Sequence, residues 1–255
     1  MTAGVLAAGV ALVTGASSGI GATTARRLAR EGAAVALVAR RRQRLDDLAA
    51  VITAEGGSAL VVQADLTDPE SNAEAVQATL DRFGRLDVLV NSAGIMLLGT
   101  ALHATIEDWD RMIALNVEAV LHITHAAVPY LIDAAATSPR RVADIVNVSS
   151  TAGRVARPSS SVYTLTKFGL NGFTEALRQE LIVEGVRVSV VEPGTVDTEL
   201  MDHLGDAARD AARELVNGME MLRAEDVADA IAYIVTRERR VAINEILVRA
   251  GDQTW

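Results

Sequence analysis

The sequence predicts a doubly wound α/β domain: a seven-stranded parallel sheet with helices on both faces. Three observations predict it. Seven short apolar runs recur along the chain, each of a length that suits a buried strand. Segments of helical length separate successive runs, which implies parallel strands joined by right-handed crossovers. The 255 residues suffice to bury a substantial core, and no internal repeat, low-complexity stretch or linker divides them, so 1–255 reads as a single domain.

The elements follow in order. Residues 1–9 are apolar, lack the basic start of a secretory signal and read as a mobile tail. Val10-Ala11-Leu12-Val13 is the first strand. It runs into Thr14-Gly15-Ala16-Ser17-Ser18-Gly19-Ile20-Gly21, after which 22–30 reads as a helix. A glycine-rich turn between strand and helix lets backbone N–H groups approach a phosphate, and the helix N-terminus favours its negative charge. The spacing Gly-x-x-x-Gly-x-Gly differs from the usual dinucleotide fingerprint. It also lacks the Lys-Ser/Thr ending of a P-loop, which disfavours ATP or GTP hydrolysis. A tight turn that merely packs helix on strand is the plain alternative.

The second strand, Ala34-Val35-Ala36-Leu37-Val38-Ala39, leads into Arg40-Arg41-Arg42. In nucleotide-binding α/β units the end of this strand faces the adenosine ribose. An acid there bonds the 2′-hydroxyl, whereas an Arg accommodates a 2′-phosphate. The acid is missing, and a guanidinium pairs with phosphate bidentately. Arg40, with Arg41 beside it, therefore predicts NADP(H) over NAD(H). Three arginines at a solvated helix start are the alternative. Runs at 59–62, 87–90, 145–148, 186–191 and 243–248 complete seven strands. Between the fourth and fifth, Val117, Val120, Leu121, Val128, Leu131 and Ile132 give a helix over 117–132 one buried stripe.

The chemistry is suggested by Tyr163 and Lys167, four residues apart, with Ser150 thirteen residues before the Tyr. Positions i and i+4 share a helix face. A Lys charge favours phenolate and is expected to pull the Tyr pKa down from its usual value of about 10. That makes the hydroxyl a usable proton donor and acceptor. Alone, Tyr-x-x-x-Lys occurs in many amphipathic helices by chance.

Several short motifs in one order make the set specific. They are the turn 14–21, Asp65-Leu66, Asn91-Ser92-Ala93-Gly94, Asn116, Asn147-Val148-Ser149-Ser150, Tyr163-Thr164-Leu165-Thr166-Lys167 and Pro193-Gly194-Thr195-Val196-Asp197-Thr198. Over about 10–252 the chain thereby resembles the short-chain dehydrogenase/reductase family, in its branch of roughly 250 residues. The resemblance implies a Rossmann fold and a reversible NADPH-dependent reduction of a ketone or aldehyde. It implies Tyr163 as acid, Lys167 tuning it and bonding the nicotinamide ribose, Ser150 polarising the carbonyl, and Asn116 holding a water that relays protons. Hydride transfer puts negative charge on an oxygen, and such charge needs donors placed in advance. For the cofactor it implies Gly15, Ser17, Ser18, Gly19, Ile20 and Gly21 at the phosphates, with Asp65 and Leu66 at the adenine. Asn91, Ala93 and Gly94 are expected along the adenosine side of the groove, and Pro193, Gly194, Val196 and Thr198 at the nicotinamide. Ser92 departs from the commoner second Asn. Residues 195–220 fall where the family keeps its substrate lid. Segment 91–99, Arg154 and the ending 244–253 are similar to a group of small-carbonyl reductases that includes clavulanic acid dehydrogenase.

Composition excludes several classes. A formal charge of −9 and a pI near 5.0 argue against nucleic-acid binding. No cysteine means no disulfide and no thiolate chemistry, which fits a cytoplasmic protein. No apolar run reaches 18 residues, so a membrane span is not expected. His122 and His125 lack the carboxylate or Cys companions of a metal site. The resemblance implies a homodimer or homotetramer built through the helices that carry Asn116 and Tyr163. Two other classes stay open: a catalytically silent NADP(H)-binding sensor, and a subunit whose main role is assembly.

Overall fold

The computed structural model describes residues 4–204, 209–210, 214 and 216–254. The apolar runs become β1 (Val10–Thr14), β2 (Ala34–Ala39), β3 (Ser58–Gln63), β4 (Val88–Asn91), β5 (Ala143–Val148), β6 (Val186–Pro193) and β7 (Glu245–Val248). They pair in the order β3-β2-β1-β4-β5-β6-β7, and every pair is parallel. The runs are continuous rather than alternating because both faces of the sheet are covered. In β1, Ala11 and Val13 enter one core cluster while Leu12 enters the other, the period of two that a strand imposes.

Helices α1 (Gly19–Arg30), α2 (Arg42–Ala54), α3 (Pro69–Phe83), α4 (Ile106–Ile113), α5 (Ala119–Thr137), α6 (Ser161–Leu181) and α7 (Ala224–Val235) connect the strands. One face of the sheet packs Leu28 of α1 and Val227 and Ile231 of α7 against Val13, Val35 and Leu37. The other packs Val76 of α3 and Ile123 and Leu131 of α5 against Leu12, Leu89 and Ile145. Each such side chain contributes about 1.5–3 kcal/mol by leaving water. The continuous helical stretch Ile106–Thr137 is long and apolar enough by composition to cross a membrane, yet Ile123, Ala127 and Leu131 within it lie in the sheet-facing core.

Two expectations are corrected. The mobile tail does not extend into residues 4–9: Leu6 is buried in the core and its amide donates to Glu31 O (2.9 Å). Burying that side chain contributes about 1.5–3 kcal/mol, which favours the docked segment; residues 1–3 lie outside the described residues. The stripe expected over 117–132 is kept by Val120, Val128, Leu131 and Ile132 but not by Leu121. A π-helical turn, Ala114–Glu118, precedes α5; within α5 Leu121 is exposed beside the buried Val120, and the small Ala119 and Ala127 face the sheet.

The sheet reverses its winding between β1 and β4, which are neighbours. A crevice opens there at the carboxyl ends of the strands, where ligands bind in such sheets.

Candidate active site

The floor of the crevice is backbone laid on backbone. Gly15 has φ +69°, and a Cβ there would stand 2.9 Å from the Ala93 Cα. A Cβ on Gly21 would stand 2.5 Å from Gly15 O, so neither position admits a side chain without displacing the turn. Thr14 Oγ1 ties the two loops together by accepting from the amides of Ser92 and Ala93, both at 3.0 Å. At the start of α1, Ser18 makes no side-chain cap and the first turn carries no acid. Gly19, Ile20 and Gly21 of this first turn line the groove, an arrangement that suits a phosphate.

The basic stretch follows β2. Arg40 is 68% exposed, with Nη1 3.9 Å from Asp65 Oδ2. Arg41 is held more firmly, donating from Nε to Ser17 Oγ (3.1 Å) and from Nη2 to Ser18 Oγ (2.6 Å). Asp65 accepts from the Thr67 amide (3.1 Å) and hydroxyl (2.8 Å) through Oδ1. Burial pushes its carboxyl up, but the Thr67 hydrogen bonds and the Arg40 charge hold it below its ordinary value.

The catalytic half lies on the opposite wall. Ser150 ends the strand β5 extension and accepts from the Ala152 amide (3.1 Å). Tyr163 and Lys167 project from one face of α6, both 6% exposed, and both line the groove with Ser150. Lys167 Nζ donates to Val148 O (3.0 Å) and stands 5.7 Å from the centre of the Tyr163 ring. The lowering expected for Tyr163 is corrected here. Burial pushes the phenol above its ordinary value, and a hydrogen bond with Ser150 opposes that only in part. Burial likewise pulls the Lys167 ammonium down to about 8. Loss of water outweighs the attraction between two groups that do not touch.

Of the sequence-predicted residues, Gly15, Ser17, Ser18, Gly19, Ile20, Gly21, Arg40, Arg41, Asp65, Leu66, Ala93, Gly94, Pro193, Gly194, Val196 and Thr198 all line this groove. Two do not. Asn91 points off the sheet face toward α5, donating to Thr124 Oγ1 (3.0 Å) and to Asn147 Oδ1 (2.8 Å); its register partner Asn147 in turn donates to Thr174 Oγ1 of α6 (2.8 Å). Asn116, in the π-helical turn, spends its side chain on Ile95, accepting from the amide (2.9 Å) and donating to the carbonyl (2.8 Å). Its side chain thus fixes the loop after β4. Met96 and Leu97 pack with Ile95, Met112 and Tyr163 in a small apolar cluster beside the phenol.

Two further residues bear on the groove: Glu199, which no motif marks, and Gln253, which the sequence marks only as part of the ending 244–253. Glu199 lines the groove and bridges Arg41 and Arg44. Gln253 accepts from the Thr195 amide (3.0 Å) and lies flush against Gly194, pinning the loop after β6 from the far end of the chain. Neither has a short-range signal, since Glu199 meets partners 155 and 158 positions away. Of the expected lid, Glu199–His203 forms a short 3₁₀ turn and Val196 bridges Leu222; residues 205–208, 211–213 and 215 lie outside the described residues.

A family model described as short chain dehydrogenase matches residues 9–209. The chain is 35% identical over 240 residues to an uncharacterised oxidoreductase of Staphylococcus epidermidis, covering 94% of this chain and 96% of that one. Among solved structures it resembles a serine dehydrogenase in its closed form with NADP+, at 29% identity, TM-score 0.87 and 96% coverage of both chains. It also resembles a 3-ketoacyl-(acyl-carrier-protein) reductase of Brucella melitensis complexed with NADH, at 31% identity, TM-score 0.85 and 96% and 98% coverage.

Proposed function

The chain belongs to the short-chain dehydrogenase/reductase family, and on that premise we propose that it is an NADPH-dependent reductase of ketones or aldehydes, reversible, with Tyr163 as proton donor. The observation that carries the reading is that Ser150, Tyr163 and Lys167 line one groove with the glycine turn and with Arg40 and Arg41. Because relatives hold both NADP+ and NADH, cofactor choice rests on this chain's own residues. No acid ends β2, and Arg41 is steadied by Ser17 and Ser18 with its guanidinium in the groove. The α1 amides would hold the pyrophosphate, Asp65 and Leu66 the adenine, and the loop from Pro193 to Thr198 the nicotinamide end.

When bound, the reduced nicotinamide supplies the hydride. The protein's part is to hold a carbonyl oxygen and protonate it. Ser150 and Tyr163 line the groove together and offer two hydroxyl donors to one carbonyl oxygen. Burial keeps the phenol protonated at neutral pH, so it is loaded for reduction. Lys167, still mostly charged below its pKa of about 8, stabilises the phenolate left behind. Asn116 holds Ile95, and with it the apolar wall of Met96, Leu97 and Met112, against the phenol. That wall favours a substrate whose carbonyl carries a hydrophobic substituent. A silent sensor would need only the nucleotide half of the groove.

The protein is read as a cytoplasmic homodimer or homotetramer, with 195–220 as lid. The half-exposed Leu121 and Tyr130 of α5 and Leu165 and Phe168 of α6 support assembly through those helices. Following NADPH absorbance against a panel of apolar aldehydes and ketones tests the activity. Turnover with no member, alongside tight NADPH binding, would favour the sensor.

A further inference from the structure

The ion-pair cluster over the groove goes beyond the family's chemistry. Glu199 follows Thr198 in the loop after β6, and its carboxylate is the only acid of that loop that lines the groove among the described residues. One oxygen accepts from Arg41 Nη1 (2.8 Å), and the other pairs with Arg44 Nη1. These hydrogen bonds, Arg41 before Arg44, hold the Glu199 carboxyl below its ordinary value. The remaining Arg41 nitrogens serve Ser17 and Ser18, so the guanidinium cannot swing away without breaking that support.

We infer that Glu199 is a specificity-determining residue for the cofactor, because it occupies Arg41, the guanidinium in the groove that would receive a ribose 2′-phosphate, while its other oxygen is tied to Arg44. The inference rests on the NADP(H) reading and deepens it. A 2′-phosphate must take the guanidinium groups from the carboxylate or accept a like charge beside it. A ribose without the phosphate pays neither penalty. Glu199 therefore narrows the preference for phosphorylated cofactor that Arg40 and Arg41 create. The pairs are two-fifths to nearly half exposed, weak enough to exchange when a dianion arrives.

The test is calorimetric titration of 2′,5′-ADP and 5′-AMP, which differ only in the 2′-phosphate, into wild-type protein and Glu199→Gln. The expected result is about five- to tenfold tighter 2′,5′-ADP binding in the variant, the gain of leaving two exposed pairs unmade. Binding of 5′-AMP is expected to stay unchanged, which also checks the fold. Unchanged 2′,5′-ADP affinity, or an equal change for both ligands, overturns the role of Glu199. Wild-type protein that binds 2′,5′-ADP no tighter than 5′-AMP overturns the NADP(H) reading itself, and the inference with it.

Discussion

Lys167 is the only lysine in the chain, and it is buried with a single hydrogen bond from its Nζ, to Val148 O. An ammonium in that position is a stability liability until it loses its proton. Its pKa falls from 10.5 to about 8 on folding, which corresponds to about 3 kcal/mol. The unfolded chain therefore binds more protons than the native one between about pH 8 and 10.5, so stability rises with pH across that window. The penalty is fully present below pH 8 and relieved above 10.5. Tyr163 works the other way, since its raised pKa lets the unfolded phenol ionise first, above about pH 10. Urea unfolding of unliganded wild-type protein and Lys167→Met at pH 7 and 9.5 isolates the lysine. Wild type is expected to gain about 2 kcal/mol more than the variant over that interval. The readout is this difference in pH dependence, because the variant also leaves Val148 O without its donor. Parallel pH profiles for the two proteins would refute the argument that burial controls the amine.

Other outcomes follow from the same geometry. Arg41→Asp places a carboxylate among Ser17, Ser18 and Glu199, and is expected to weaken NADPH binding at least tenfold while NADH binding changes little; equal losses for both would remove the arginine from cofactor choice. Gly21→Ala forces a methyl group against Gly15 O, so the dinucleotide is expected to be lost while circular dichroism remains native. Asn91→Ala leaves Asn147 Oδ1 without its Nδ2 donor and is expected to cost about 1–3 kcal/mol of stability, read by urea midpoint. Because the phenol resists ionisation, alcohol oxidation should climb with pH toward 10 while carbonyl reduction does not; matching profiles in the two directions would contradict the assignment of Tyr163.

The strands were readable because both faces of the sheet are covered, which makes each run continuously apolar. The glycine turn was readable because close approach of Gly15 to Ala93 leaves room for no other residue. That Asn91 lies outside the groove lining was not legible, because the motif gives its position but not its direction. Only the register of β4 on β5 shows that it meets Asn147 under α5 and α6. The sign of the Tyr163 shift was misread for a related reason: spacing brings the lysine near, but depth of burial decides whether charge or desolvation wins. The roles of Glu199 and Gln253 stayed hidden because the partners of both are distant in sequence and meet them only once the sheet has formed.

Tyr163→Phe removes one oxygen atom and leaves the ring in its packing beside Ile95 and Met112. With NADPH affinity measured independently, carbonyl turnover is expected to fall by about 10²–10⁴-fold while cofactor binding is kept. A variant that still reduces its carbonyl at the wild-type rate would contradict the claim that this buried phenol delivers the proton.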